Sequence, residues 1–154
     1  MTQAAPPTLA PTAIRTATGI GVMLAVAALL LRSAISQGPI TQALMIAAGL
    51  AALALGYAMW RGRDDSLIWT QDGLTDAAGR LIAARGDIIG VDRSPMALKP
   101  SNGFTLRMKT VQPRGWQPGL YWRMGRRIGV GGLTPPSVSK ALADRIALDI
   151  AGVI

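Results

Sequence analysis

The sequence contains no cysteine, no histidine and no glutamate, and each absence excludes a class of chemistry. Without cysteine there is no disulfide framework, zinc knuckle, iron–sulfur centre or thiol nucleophile. Without histidine the usual general base and the commonest metal ligand are missing. All eight acidic residues are aspartates. We therefore expect a protein that is not an enzyme and that holds no cofactor and no metal ion.

Charge is also nearly absent from one long segment. Residues 16–60 carry only Arg32, whereas residues 61–154 carry 14 basic and 8 acidic side chains. One helix of about 45 residues would be about 67 Å long, roughly twice the thickness of a bilayer core. The sequence Ser36-Gln37-Gly38-Pro39 favours a loop. It divides residues 13–63 into two predicted transmembrane helices, at about 13–35 and 40–60.

Both predicted helices carry small residues at every fourth position. Such stripes let helix backbones approach closely, which is how helices associate in lipid. An alanine-rich composition also produces them by chance, and the pairing of the two helices does not depend on them because the loop is short. The candidate helix-packing residues are Ala17, Gly21 and Ala25 in the first helix and Ala48, Ala52 and Gly56 in the second.

The basic residues nearest the predicted spans indicate an orientation. Arg61 and Arg63 follow the second span, whereas the loop between the spans has only Arg32 and the N-terminal tail only Arg15. The positive-inside bias then places both termini in the cytoplasm. A cleaved signal peptide fits poorly, because the first 14 residues carry no basic side chain and the apolar run is long. The proline-rich residues 1–12 are predicted to form a disordered tail.

Residues 64–154 show the pattern of a small cytoplasmic domain. Apolar and polar side chains alternate from Phe104 to Lys109, which predicts a strand with one buried face. Several shorter segments between turn signals bring the expected number of antiparallel strands to about seven. Apolar residues repeat every four positions from Val138 to Ile150 and predict an amphipathic C-terminal helix, on which Arg145 and Asp149 are spaced to pair on the exposed side.

The order of these elements resembles that of the bacterial pleckstrin-homology-like domains, which are often joined to a two-helix membrane hairpin. The resemblance implies a membrane α-helical hairpin plus a small α+β domain, a PH-like bent sheet or barrel closed by the C-terminal helix. It also implies a scaffold that binds other molecules and has no fixed catalytic residues. It is one of pattern and order, carried by Leu67-Ile68-Trp69, Asp72-Gly73-Leu74, Gly79-Arg80-Leu81-Ile82, Asp87-Ile88-Ile89-Gly90-Val91-Asp92 and Arg126-Arg127-Ile128-Gly129-Val130-Gly131-Gly132 before a helix.

Two short motifs suggest catalysis or nucleotide binding, and each has a simpler explanation. Ser137 and Lys140 have the S-x-x-K spacing of serine acylases, but the companion motifs of those enzymes are missing. Helix capping and an exposed helix face account for the two residues. The run Gly129 to Gly132 lies between a strand and a helix, where phosphate loops occur, but no Gly-Lys-Ser/Thr follows. A tight corner accounts for these glycines.

Basic and aromatic residues are the better candidates for contact with a surface. Anionic headgroups attract membrane-proximal arginines by about 1 kcal/mol each, although a solvated basic face explains the same residues. Trp116 lies among turn residues, where it either contacts a partner or headgroups or folds back on its own sheet. The candidate residues for contact with the membrane surface or a partner are Trp60, Arg61, Arg63, Trp116, Arg123, Arg126 and Arg127.

These observations predict a non-catalytic accessory or assembly subunit of a protein complex in the bacterial inner membrane. Its partner would be a larger integral membrane complex or a second copy, bound laterally by the helix hairpin and by the cytoplasmic domain. The alternative is recognition of anionic phospholipids by the basic face of the domain. No specific nucleic-acid partner is expected, because the domain lacks an arginine-rich helix.

Overall fold

A computed structural model describes residues 8–94 and 99–152, which belong to two compact units. The helical unit, Ala13–Arg63, contains α1 (Ala13–Ala34) and α2 (Pro39–Arg61). The second unit, which we call the β domain, contains nine strands and one α-helix in its described residues. These are β1 (Thr8–Leu9), β2 (Leu67–Trp69), β3 (Gly73–Asp76), β4 (Leu81–Ala84), β5 (Ile88–Asp92), β6 (Phe104–Met108), β7 (Gly115–Gln117), β8 (Tyr121–Met124), β9 (Arg127–Val130) and α3 (Pro136–Ile150).

The helical unit confirms the two predicted helices and the turn between them. Both helices are long and apolar enough to cross a membrane. Pro39 occupies the first turn of α2, where a backbone N–H would have no partner within the helix. Gly38 precedes it in an extended conformation and accepts a hydrogen bond at 2.8 Å from the N–H of Gln42. The sharp turn therefore follows directly from the Gly-Pro pair.

The first sheet of the β domain is antiparallel, with the strand order β1-β2-β3-β4. Its edge strand, β1, precedes α1 in the chain and pairs with β2, so that Leu9 lies opposite Leu67. Leu9 is fully buried, and the N–H of Thr12 donates to the carbonyl of Leu133 at 3.1 Å. The prediction of a disordered tail over residues 1–12 is therefore wrong for its last residues, because core burial of Leu9 and strand pairing order them. Residues 1–7 lie outside the described residues.

The second sheet is also antiparallel, with the order β5-β6-β9-β8-β7. The apolar face predicted for β6 is confirmed, since Phe104, Leu106 and Met108 are buried. Of the residues predicted on the polar face, Arg107 is exposed, but Thr105 is buried. The chain passes from β6 to β7, at the far edge, before β8 and β9 fill the positions between them. Sequence patterns predict most of the strands, but this order depends on contacts between distant strands.

The core of the β domain is shared by both sheets and α3. Leu142 and Ile146 of α3 are fully buried, and Val138 and Ile150 pack against the same core, which confirms the predicted apolar stripe. The carboxylate of Asp149 accepts hydrogen bonds from the indole Nε1 of Trp69 at 3.0 Å and from the guanidinium of Arg85 at 2.6 Å. The predicted pairing of Asp149 with Arg145 is wrong, because Asp149 faces β2 and the turn after β4.

The architecture agrees with the prediction at the level of class. Two long apolar helices accompany an α+β domain of antiparallel strands that ends in a helix. The strands form two separate sheets and not a closed barrel. Eight strands lie in the described part of residues 64–154, against the seven expected, because residues Gly115–Gln117 pair with β8 instead of forming a loop.

Candidate interaction surfaces

The residues buried between α1 and α2 are mostly not those of the predicted stripes. The buried residues are Thr16, Ala27 and Ala34 in α1 and Gly49 and Gly56 in α2. Gly49 makes the closest approach, since a Cβ atom there would lie 2.9 Å from Cγ of Leu31. Ala27 and Ala34 are seven residues apart, as are Gly49 and Gly56, and Thr16 precedes Ala27 by eleven residues. Seven and eleven residues are close to two and three helical turns, so the buried residues of each helix lie on one side.

Of the six predicted helix-packing residues, only Gly56 is buried between the helices, with a Cβ position 3.4 Å from Met23. Ala52 is half-buried. The other four are exposed: Ala17, Gly21, Ala25 and Ala48. A stripe with a strict spacing of four drifts around the helix, because 3.6 residues make one turn, and it therefore leaves the contact face.

The C-terminal end of α2 carries an aromatic and cationic cluster. The rings of Tyr57 and Trp60 have centroids 6.2 Å apart, and both side chains are exposed. The guanidinium carbon of Arg63 lies 4.9 Å from the centroid of the Trp60 ring, within cation–π range. Arg61 is exposed beside them. Such aromatic and basic residues are typical of the end of a helix at a membrane–water interface.

The second sheet has one face in the core and one face directed away from it, which we call the Arg–Trp face. In an antiparallel pair, residues directly opposite each other lie on the same side of the sheet. Trp116 pairs with Trp122, Met124 pairs with Arg127, and Arg127 pairs with Arg107. These five residues define the Arg–Trp face, and their neighbours Leu106 and Ile128 point to the core on the other side.

Exposed apolar side chains are concentrated at the β7–β8 end of the Arg–Trp face. Trp116 is 65% exposed and Met124 is 60% exposed. Trp122 lies over Gly129, where a Cβ atom would fall within 2.2 Å of the indole Nε1, so a glycine is needed beneath the ring. An open cleft of 610 Å³ is lined by Arg114, Gly115, Trp116, Trp122, Arg123 and Met124. The alternative in which Trp116 folds back onto its own sheet is wrong.

The predicted basic cluster of Arg123, Arg126 and Arg127 is divided by the alternation of the strands. Arg123 pairs with Ile128 and lies on the side opposite Arg127. Arg126 occupies the turn between β8 and β9 and is exposed. The sequence clusters three arginines, but adjacent strand positions point to opposite faces of a sheet. Arg107, which comes from a distant strand, is the true neighbour of Arg127.

Arg123 is held against the sheet near its edge. Its guanidinium lies over Gly115, 2.8 Å from the position of a Cβ atom there, and 5.9 Å from the centroid of the Tyr121 ring. Its Nε atom is buried and has no hydrogen-bond partner in the described part of the chain. Arg123 is also one of the residues that line the cleft. Arg123 therefore adds positive charge to one wall of the cleft.

A carboxylate lies near the basic pair at the other end of the Arg–Trp face. Asp92 of β5 accepts a hydrogen bond from the backbone N–H of Ser94 at 2.9 Å. This bond, the Ser94 hydroxyl, and the positive charges of Arg107 and Arg127 lower the pKa of Asp92 below its usual value. The two arginines form no ion pair with it or with any other carboxylate among residues 8–94 and 99–152.

The two motifs weighed for catalysis and nucleotide binding lie where β9 leads into α3. Ser137 and Lys140 are both exposed on the first turns of α3. Gly131 and Gly132 have φ angles of +132° and +122°, and their Cβ positions would collide with the backbone of Gly103 and Gly119. The glycines thus permit a close crossing of backbone segments. No group of three or more acidic residues that could hold a metal ion occurs among the described residues.

Comparison with known proteins adds no assignment. No family model matches the chain, and neither a curated protein nor a solved structure matches it at a significant level. The surfaces described above are therefore interpreted from their own geometry.

The sequence does not single out Arg107 and Met124 as contact residues. The alternation in β6 nevertheless places Arg107 on the polar side of its strand.

Proposed function

We propose that this protein is a non-catalytic accessory subunit of a complex in the bacterial inner membrane, with a PH-like domain as its binding scaffold. The hairpin would contact the partner laterally in the bilayer, and the domain would contact it through the β7–β8 end of the Arg–Trp face. The observation that carries the proposal is the exposure of Trp116 and Met124 beside a cleft of 610 Å³. Exposed aromatic, methionine and arginine side chains around a pocket are typical of protein interfaces.

The pairing of β1 with β2 supports a two-pass arrangement. β1 precedes α1 and β2 follows α2, and strands that pair must lie on the same side of a membrane. An even number of crossings therefore separates them. Leu9 belongs to the core, so removal of α1 as a signal sequence would take a core residue away. Arg61, Arg63 and the aromatic cluster at the end of α2 favour the cytoplasm as that side.

Extraction in a mild detergent followed by native separation tests the accessory role. We expect the wild-type chain to migrate with a larger complex and the double variant Trp116→Ala/Met124→Ala to lose that complex. The matched control is Leu81→Ala, which removes an exposed apolar side chain from the first sheet and should leave the complex intact. A wild-type chain that migrates only as a monomer or dimer would contradict the proposal.

Reporter fusions at the two ends test the orientation separately. A reporter that is active only in the cytoplasm should be active at both the N-terminus and the C-terminus. Activity at one end alone would contradict the pairing of β1 with β2, because the two strands would then lie on opposite sides. Activity at neither end would reverse the orientation and leave the pairing intact.

Recognition of anionic phospholipid headgroups is a second candidate function, favoured by one specific observation. Arg107 and Arg127 lie directly opposite each other and are exposed. Headgroup recognition would persist when no protein partner is present, and it would weaken as the salt concentration rises. Full-length protein purified with its bound lipids should retain anionic species at low salt and release them at high salt. Equal retention of zwitterionic and anionic lipids would exclude this candidate.

A further inference from the structure

Two positive charges face each other on the Arg–Trp face without a carboxylate between them. Arg107 and Arg127 are register partners in β6 and β9, so their Cα atoms are about 5 Å apart. Their row of the sheet continues to Gly90 on one side and to Met124 on the other. None of these four side chains is negative. Like charges directly opposite each other destabilise a sheet, and an anion bound between them would relieve that cost. Asp92, in the neighbouring row of the sheet, offsets part of it, since both arginines lower its pKa.

The surroundings leave both guanidinium groups available to a ligand. Neither guanidinium group has a hydrogen bond or an ion pair within residues 8–94 and 99–152. The nearest carboxylate on this face, Asp92, is two residues from Gly90 along β5 and already accepts the N–H of Ser94. Trp122 and Met124 provide an apolar border on the β8 side. The pair therefore combines two guanidinium groups that have no hydrogen-bond partner in the described residues with an apolar border.

From this geometry we propose that Arg107 and Arg127 form a two-arginine site for a phosphate group. A guanidinium presents paired N–H donors that match two oxygens of a phosphate, and two guanidinium groups can share one phosphate. Its source is either a phospholipid headgroup or a soluble phosphate. The inference rests on the second candidate function and is independent of the accessory role, which depends on Trp116 and Met124.

Thermal unfolding of the full chain in phosphatidylcholine nanodiscs tests the site. Without free phosphate at low ionic strength, Arg107→Gln should keep or raise the midpoint of unfolding, by about 1–4 °C, because it removes a like-charge contact. Added inorganic phosphate should raise the midpoint of the wild type more than those of Arg107→Gln and Arg127→Gln. Arg145→Gln, which removes an exposed arginine from α3, is the matched control and should respond as the wild type does.

Phosphate also stabilises folded proteins in general, so the difference between variants is the quantity that decides. An equal rise in the wild type, Arg107→Gln and Arg127→Gln would overturn the site. Arg107→Lys keeps the charge but loses the paired donors, and it should show a smaller rise than the wild type. This variant keeps the test decisive where a glutamine variant fails to fold.

A second arm, with phosphatidylglycerol in the nanodiscs and no free phosphate, distinguishes the sources. A rise confined to the wild type and Arg145→Gln supports the site with a headgroup as its ligand. A rise with free phosphate alone supports the site and contradicts headgroup recognition. A rise with phosphatidylglycerol that persists in both glutamine variants overturns this site and assigns headgroup binding to other basic residues.

Discussion

The two units of this protein bury different kinds of side chain. The helical unit exposes its large apolar side chains, such as Ile14 and Ile40, and buries Gly49, Gly56 and Ala27 between its helices. The β domain buries leucine, isoleucine and phenylalanine and exposes arginine. In water, burial of apolar surface drives packing, whereas in lipid close van der Waals contact between small residues holds helices together. The contrast supports the proposal that only the helical unit lies in a bilayer.

The difference also shows where the boundary between the units lies in the chain. The β domain begins before α1, because Leu9 is part of its core, and resumes at Asp64. The helical unit is therefore an insertion between two neighbouring strands of one sheet. A fragment starting at residue 66 would lack β1 and would expose the edge of β2. A soluble version of the domain needs residues 8–12 as well.

Replacement of Leu9 by alanine is expected to have the largest effect. Leu9 is fully buried, and truncation of a buried leucine costs about 2–5 kcal/mol of the free energy of unfolding. Chemical unfolding of the full chain in detergent, followed by the near-ultraviolet circular dichroism of its tryptophans, measures the cost. Val111→Ala is the control, because Val111 is largely exposed. Equal stability of the two variants would exclude β1 from the domain and restore the boundary at residue 64.

Replacement of Gly49 by isoleucine tests the packing rule of the helical unit. The added side chain would overlap Leu31 and separate the helices, at a cost of about 1–3 kcal/mol. Unfolding of the hairpin in mixed micelles with increasing detergent strength measures it. Gly21→Ile is the matched control, since nothing lies within 4 Å of a Cβ atom at that position. If Gly21→Ile is the more damaging variant, the predicted stripe and not the observed line forms the helix contact.

Two aspartates of α3 provide the smallest and most discriminating comparison. Asp149→Asn weakens the bonds to Arg85 and Trp69, and we expect a loss of about 1 kcal/mol because the carboxylate is mostly buried and Arg85 is partly exposed. Asp144→Asn breaks an exposed pair with Arg93 and should cost about 0–0.5 kcal/mol. Denaturant unfolding at neutral pH measures both. A larger loss for Asp144→Asn would contradict the docking of α3 through Asp149.

Local signals in the sequence predict the elements that depend on neighbouring residues. The loop around Gly38 and Pro39, the apolar face of β6 and the apolar stripe of α3 all correspond to observed structure. The sequence does not predict β1 and β7, because two or three residues are too few to show a period. The spacing of residues along a helix identifies only neighbours on that helix. It therefore predicts Arg145 as the partner of Asp149 and does not predict Arg85 or Trp69.

The candidate surfaces were harder to predict than the fold, because they depend on which strands are neighbours. The turn residues around Trp116 predict that it contacts a partner or folds back on its sheet, and its exposure agrees with the first alternative. The pairing of Arg107 with Arg127 joins strands separated by the β7–β8 hairpin. No sequence period reports such a contact. The arginines that are adjacent in the sequence were consequently grouped together, and the sheet separates them.

The pairing of β1 with β2 has a consequence for the order of folding. Leu9 and Leu67 are about 58 residues apart in the chain, and closing so long a loop costs conformational entropy that slows folding. Once α1 and α2 are antiparallel, only residues 10–12 and 62–66 remain between the helix ends and the two strands. Formation of the hairpin therefore converts a distant contact into a local one. We expect the first sheet to refold slowly from a chain whose helices are unfolded and quickly from one whose hairpin is already formed.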